Sequence, residues 1–268
     1  MHGWRARIAL IIAHSNTTIE PEFNRVAPEG VSIHAGRVPI GAISVQGLST
    51  ADHYIDTAAK LLSDINAKAI AYACNGANVA AGQDAELEEA RRISGIAGTT
   101  AVMASAALLE ALAALNVRRV VFATPYPPDL SASNDAFWKS CGLEVLRTGG
   151  VNLGGSREPV EPLSTAPISK VGIQTPEFAY NLARSVFDKR AEAVVVIGCN
   201  LRTIEVAAQF EADFGIPFLS SNLALFWASL QVAGVNEPIH GFGRLLQQQP
   251  RLGWVRIPRF HRSSTDIT

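Results

Sequence analysis

The sequence predicts an α/β fold of two pseudo-symmetric lobes, each a parallel β-sheet flanked by helices, with the active site in the inter-lobe cleft. Three observations carry this expectation. Short apolar runs alternate with Ala- and Leu-rich stretches of helical spacing along the 268 residues, the pattern of parallel βαβ units. The order of parts in the first half recurs in the second. In each half a strand ends in a cysteine with a polar follower, Ala73-Cys74-Asn75-Gly76 and Gly198-Cys199-Asn200-Leu201.

The elements follow in chain order. Strands are expected at 7–13, 31–37, 69–73, 100–104, 119–124, 144–148, 193–198 and 217–220, each a short β-rich run. Helices are expected at 49–65, 85–93, 106–115, 134–141, 175–189, 203–214 and 222–233, where apolar residues return at helical spacing. Glu20-Pro21-Glu22 reads as helix-opening capping and dipole chemistry rather than as a catalytic carboxylate pair. The stretch 149–167, rich in Gly, Pro and Ser, reads as a long loop. The repeat sets lobe boundaries near Val117 and within 217–222. The first lobe is then 1–117 plus 222–268, with Cys74, and the second is 118–221, with Cys199.

Composition removes several function classes. Twenty-three Lys and Arg against 24 Asp and Glu give a net charge of −1, which argues against a sequence-independent nucleic-acid binder. The one basic cluster lies in the tail, 256–262. No apolar run approaches the roughly 18 residues that span a bilayer, so no membrane partner is expected. The first apolar run ends in His14-Ser15-Asn16 without a cleavage pattern, and a cytoplasmic location follows as the expectation. Three cysteines, an odd number, are too few for a disulfide framework at this length. No pair has C-x-x-C spacing and no histidine lies within four residues of a cysteine, so no metal site is expected. Glycine-rich dinucleotide and phosphate-binding signatures are absent, as is a Gly-x-Ser-x-Gly elbow.

What remains is thiol chemistry. In open parallel sheets ligands bind beyond the carboxyl ends of the strands, so Cys74 and Cys199 would flank a common cleft. The polar loop 15–18 and Thr124-Pro125-Tyr126 would complete it. A thiol where a strand hands over to a helix sits near backbone N–H groups that lower its pKa and can hold a carboxylate. A single cysteine on an Ala/Val strand is more often a small buried hydrophobe; two in equivalent places with polar followers weigh against that. Cys141, outside the repeat, reads as structural. The six histidines are scattered, and His14 in the first loop is the exception worth following.

The run Ser15-Asn16-Thr17-Thr18-Ile19-Glu20-Pro21-Glu22-Phe23-Asn24-Arg25, continued by Pro28 to His34 and Arg37, resembles the N-terminal signature of maleate cis-trans isomerases. With the arylmalonate decarboxylases these form a branch of the aspartate/glutamate racemase superfamily. Ala71-Tyr72-Ala73-Cys74 resembles the first cysteine motif, Ala123-Thr124-Pro125-Tyr126 the tyrosine turn, and Gly198 to Thr203 the second cysteine motif.

The resemblance implies a cofactor-independent enzyme acting on maleate or a related small dicarboxylate, with Cys74 adding to the alkene and Cys199 moving the proton. It implies that Asn16 and Tyr126 bind carboxylates, helped by backbone N–H groups of Asn75, Gly76 and Asn200. A homodimer or higher homo-oligomer follows by the same analogy. Three departures stand out, one being that 149–167 offers no counterpart for the isomerases' second carboxylate-binding Asn. Asn75-Gly76-Ala77-Asn78 leans toward the Cys-Asn-x-Ala motif of amino-acid racemases, and the second cysteine motif is one residue short. A two-cysteine racemase of the aspartate, glutamate or hydantoin type is therefore the alternative. A decarboxylase, whose group keeps glycine where this chain has Cys74, and a non-catalytic ligand-binding homologue stand behind it.

Overall fold

The computed structural model describes residues 1–39, 45–75, 79, 82–126, 128–153, 170–248, 250–253 and 256–257. The first half carries β1 (Ala6–Ala13), α1 (Ile19–Val26), β2 (Val31–Val38), α2 (Val45–Ser63), β3 (Ala69–Tyr72), α3 (Gln83–Ala97), β4 (Ala101–Met103) and α4 (Ala104–Ala114). The second carries β5 (Arg119–Thr124), α5 (Pro128–Ser140), β6 (Glu144–Gly150), α6 (Pro176–Val186), β7 (Ala193–Val196), a 3₁₀ turn (Ile204–Val206), α7 (Ala207–Phe214) and β8 (Phe218–Ser220). It closes with α8 (Ser221–Val232) and α9 (Arg244–Gln248).

Two four-stranded sheets result, ordered β2-β1-β3-β4 and β6-β5-β7-β8, with every pairing parallel. Each strand of the first sheet thus has a counterpart in the second. The inner strands read as continuous apolar runs because helices cover both faces: all of Ile8 to Ile12 is buried, as is all of Ala193 to Ile197. In this strand order the chain leaves the two central strands, β1 and β3 or β5 and β7, in opposite directions. The crevice beyond their carboxyl ends is the natural binding position.

Helix α8 belongs to neither half alone. It leaves β8 with Ser220 Oγ accepting from Leu223 N at 3.1 Å as an N-cap, then packs on β3, β4 and α4 of the first sheet. Residues 221–230 are all buried, so the helix is apolar on every side, as a helix between two layers must be. Cys141 closes α5 half-buried, its backbone N–H on Phe137 O at 3.1 Å; Cys141→Ser is expected to leave turnover within about twofold of wild type, checked by steady-state kinetics.

Two expectations need correction, and the expected helices gain one member. Glu20-Pro21-Glu22 does open a helix, α1, of eight residues that the strand-and-helix reading did not include; Pro21 sits in its first turn, where it costs no hydrogen bond. The helix expected at 203–214 is a 3₁₀ turn leading into α7. The loop expected from 149 starts later, because β6 runs through Gly149 and Gly150 on β5; the rest of it, 154–167, lies outside the described residues. Among the described residues no helix is long and apolar enough to cross a membrane.

Candidate active site

The carboxyl ends of the four central strands deliver the site. β1 leads into the loop 15–18, β3 into Ala73-Cys74-Asn75, β5 into Pro125-Tyr126, and β7 into Ile197-Gly198-Cys199. Gly198 has φ +132°, a backbone conformation that side chains strain against, and the turn it makes presents Cys199 back toward the other lobe. Gly198 N–H donates to Ser221 Oγ at 3.2 Å, which ties that turn to the start of α8.

The two cysteine motifs meet across the lobes. Cys199 Sγ lies 3.3 Å from Asn75 Oδ1, its thiol donating to the residue that follows Cys74. The backbone N–H of Asn75 and the hydroxyl of Ser221 point hydrogen bonds at the same sulfur. Both cysteines and Asn75 are buried, and Asn75 Nδ2 is buried without a hydrogen-bond partner. A buried donor left unpaired at a cleft between two thiols is costly, and a ligand oxygen would relieve that cost.

Electrostatics separates Cys199 from the sequence expectation. Burial, and then the nearby Cys74 sulfur, push the Cys199 thiol up to about 12 against the hydrogen bonds from Asn75 and Ser221. The polar followers are present as expected, but desolvation outweighs them. Cys199 is therefore held as a thiol at neutral pH. The Tyr126 hydroxyl is displaced far above its ordinary range by burial and by proximity to Cys199 and Cys74, which places it by both sulfurs as a neutral donor. Its backbone N–H rests on Thr124 Oγ1 at 3.2 Å.

Asn16 and Asn200 close the rim. Asn16, buried, donates from Nδ2 to Cys199 O at 2.9 Å and accepts at Oδ1 from Thr18 N at 2.9 Å and Ile19 N at 3.1 Å. Asn200 Oδ1 accepts from Thr17 N at 3.0 Å, and Asn200 Nδ2 donates to Ser15 O at 3.3 Å. Thus each of these side chains carries a lobe-to-lobe bond at the cysteine turn. Arg37, at the end of β2, holds the same loop by Nη1 on Asn16 O at 2.6 Å and pairs with Glu20 at 2.9 Å. A side chain at Gly172 would bring its Cβ within 2.8 Å of Asn200 Nδ2 and 2.9 Å of Thr17 Oγ1, so only glycine lets 170–173 lie against this pair. Gly76 lies outside the described residues. His14 ends the neighbouring β1 position with Nδ1 buried and unpartnered. A groove of about 600 Å³ opens between α5 and β6 and meets the site only at Tyr126.

Sequence reasoning passed over Ser221, Asn222 and the role of Glu22. Glu22 was visible as part of Glu-Pro-Glu, but that it faces the second lobe depends on the packing of α1 rather than on local pattern. Among the described residues no group of three His, Cys, Asp or Glu side chains is placed to hold a metal ion.

Burial also drives the Glu22 carboxyl up to about 7, against hydrogen bonds from Ile204, Asn222 and Thr203. The ordinary value is 4.5, so between these two values the folded chain keeps a proton that the unfolded chain has released. This contribution is greatest at the acidic end and is lost as pH rises through about 7, a difference of about 3 kcal/mol. Urea unfolding at about pH 5 and about pH 8 is expected to show that decline in wild type and a flatter profile in Glu22→Gln; an identical decline in both would assign it to another group.

Two like parallel sheets, each sending a cysteine from the end of its third strand into one shared cleft, define a two-lobed, two-thiol α/β protein. The chain belongs to the arylmalonate decarboxylase family, a sequence model of which matches residues 8–246. It is 27% identical over 255 residues to the maleate isomerase of Nocardia farcinica, covering 90% of this chain and 96% of that protein. In structure it is similar to the maleate isomerase Iso of Pseudomonas putida S16, with a TM-score of 0.81 at 22% identity over 91% of this chain and 99% of that one. It is similar also to a cysteine-to-serine mutant of the Nocardia farcinica maleate cis-trans isomerase bearing a covalently bound succinylcysteine intermediate. There the TM-score is 0.75 at 25% identity, over 91% of this chain and 98% of that one.

Proposed function

We propose that this protein is a cis-trans isomerase of maleate or a related small dicarboxylate, in which Cys74 is the nucleophile and Cys199 the proton carrier. The observation that supports it most directly is the meeting of the two cysteine motifs, Cys199 Sγ on Asn75 at 3.3 Å. The cysteine at position 74 also separates the chain from decarboxylases that keep glycine there. The succinylcysteine intermediate of the Nocardia farcinica isomerase mutant supports a covalent route.

The steps balance with two thiols and the substrate. The Cys74 thiolate forms a C–S bond to one alkene carbon, and the π pair moves to the neighbouring carbon, spreading into its carboxylate. The Cys199 thiol, held protonated by its burial, gives that carbon its proton and becomes a thiolate. The former double bond now rotates. Cys199 takes the proton back, the C–S bond breaks, and the electron pair re-forms the alkene as fumarate, leaving both sulfurs as they began. No cofactor is needed for this balance.

Charge at the enediolate is the barrier, and fixed neutral donors meet it as it develops. Asn75 Nδ2, Tyr126 Oη and the second amide hydrogen of Asn16 are the donors assigned to the carboxylates, with the backbone N–H groups of Gly76 and Asn200. Dianion binding by amides and a phenol agrees with a net charge of −1. We read the enzyme as cytoplasmic, from the first apolar run ending without a cleavage pattern, and as a homodimer or higher homo-oligomer by superfamily analogy.

Proton NMR in D₂O separates the readings. With maleate, methylmaleate, aspartate, glutamate and hydantoins offered in turn, fumarate-type products are expected. Deuteration at Cα with loss of optical rotation would instead establish the racemase, and release of CO₂ from an arylmalonate the decarboxylase.

A further inference from the structure

Helix α1 follows β1 in the first half, yet its inner face reaches the second. Glu22 Oε1 accepts from Thr203 N at 2.6 Å and Ile204 N at 2.9 Å, and Oε2 accepts from Asn222 Nδ2 at 2.6 Å. One turn further along α1, Arg25 pairs with Glu205. All three donors to Glu22 lie in the segment that frames Cys199: Thr203 and Ile204 end its turn, and Asn222 follows Ser221, whose hydroxyl bonds to the sulfur. Asn222 Nδ2 also reaches Leu201 O at 3.3 Å, inside that turn. The carboxylate is buried, with 7% of the residue exposed, so water cannot replace these bonds.

We propose that Glu22 is a positioning residue for Cys199, a strut from the first lobe that fixes where the second-lobe sulfur stands against Asn75 and Cys74. It acts through the backbone of 201–204 and through Asn222, and its charge adds a small push to the raised Cys199 thiol. The contacts explain why this residue carries a carboxylate. Three donors converge on two oxygens; the ionised carboxyl accepts at both, which is why these bonds pull against the burial that raises its pKa, whereas an amide accepts at one. Glutamine at this position can still serve Thr203 and Ile204 through Oε1. Its Nε2 can donate to Asn222 Oδ1 after that amide turns over, an exchange that gives up the 3.3 Å bond from Asn222 Nδ2 to Leu201 O. Alanine offers nothing to any of the three.

The consequence for turnover rests on the isomerase reading; the consequence for the sulfur does not. Both are read in a Cys141→Ser background so that only Cys74 and Cys199 report. In Glu22→Ala the rate of Cys199 alkylation by iodoacetamide, followed by peptide mass spectrometry, is expected to rise about 10-fold relative to that of Cys74, as the buried thiol is released. In the same variant kcat for maleate is expected to fall about 100-fold with KM within about threefold, the signature of a displaced reacting group. Glu22→Gln is expected to restore both the alkylation ratio and kcat to within about threefold of wild type.

An unchanged alkylation ratio in Glu22→Ala would overturn the proposal. So would an equal rise at both thiols, which reports general loosening, or a loss in Glu22→Gln as large as in alanine. If the wild-type protein converts no dicarboxylate while the alkylation ratios behave as expected, the strut stands and the isomerase reading falls.

Discussion

Cys74→Ala is expected to abolish conversion of maleate, lowering kcat by about 10⁴-fold or more. The sulfur makes the bond that turns a planar alkene into a rotatable one, and no other described side chain at the cleft can replace it. Cys199 is the nearest nucleophile, but burial holds it as a thiol with its pKa pushed up to about 12, so almost none of it is nucleophilic at neutral pH. The fold should tolerate the change, since Cys74 is a small buried side chain and alanine is already common beside it. Circular dichroism and binding of maleate to the variant check that folding and the carboxylate donors survive. Full activity in Cys74→Ala would remove the covalent mechanism altogether.

Cys199→Ser is expected to behave differently, and the difference identifies the roles. Addition by Cys74 can still occur, with solvent supplying the proton slowly, but the return abstraction loses its base. Turnover should fall by about 10² to 10⁴-fold, while intact-protein mass spectrometry after incubation with maleate should show a covalent adduct of one maleate. Peptide mapping should place it on Cys74. An adduct on neither peptide, with turnover near wild type, would show that Cys199 carries no proton. Two functions are thus assigned to two chemically similar groups by their surroundings, as with paired carboxylates whose environments push them apart.

The periodicity of the chain was a good guide to strands and helices because the central strands are short apolar runs flanked by turn residues; most boundaries moved by a few residues, and α5 begins at Pro128, six positions before its expected start. It was a poor guide where a local pattern has two readings. α1 carries its apolar residues at helical spacing, Ile19, Phe23 and Val26, but it spans only eight residues and holds a proline, so the pattern was passed over. The placement of Cys74 and Cys199 after equivalent strands was legible because the order of parts repeats. The electrostatic state of Cys199 was not, since it depends on how much water the closed cleft excludes. Likewise the bonds of Asn16 and Asn200 to the opposite lobe, 2.9 Å to Cys199 O and 3.0 Å to Thr17 N, follow from tertiary contact alone.

Helix α8 has a bearing on how the protein comes to be folded. Its residues 221–230 are buried against β3, β4 and α4, elements that precede it in the chain by more than a hundred positions. A chain emerging from the ribosome therefore exposes one apolar face of its first sheet until nearly all of it has been synthesised. Closing so long a loop costs entropy before any contact repays it. The second sheet, whose own strands are contiguous in sequence, has no such wait. In such a molecule the first sheet is finished by a helix that arrives from the other half.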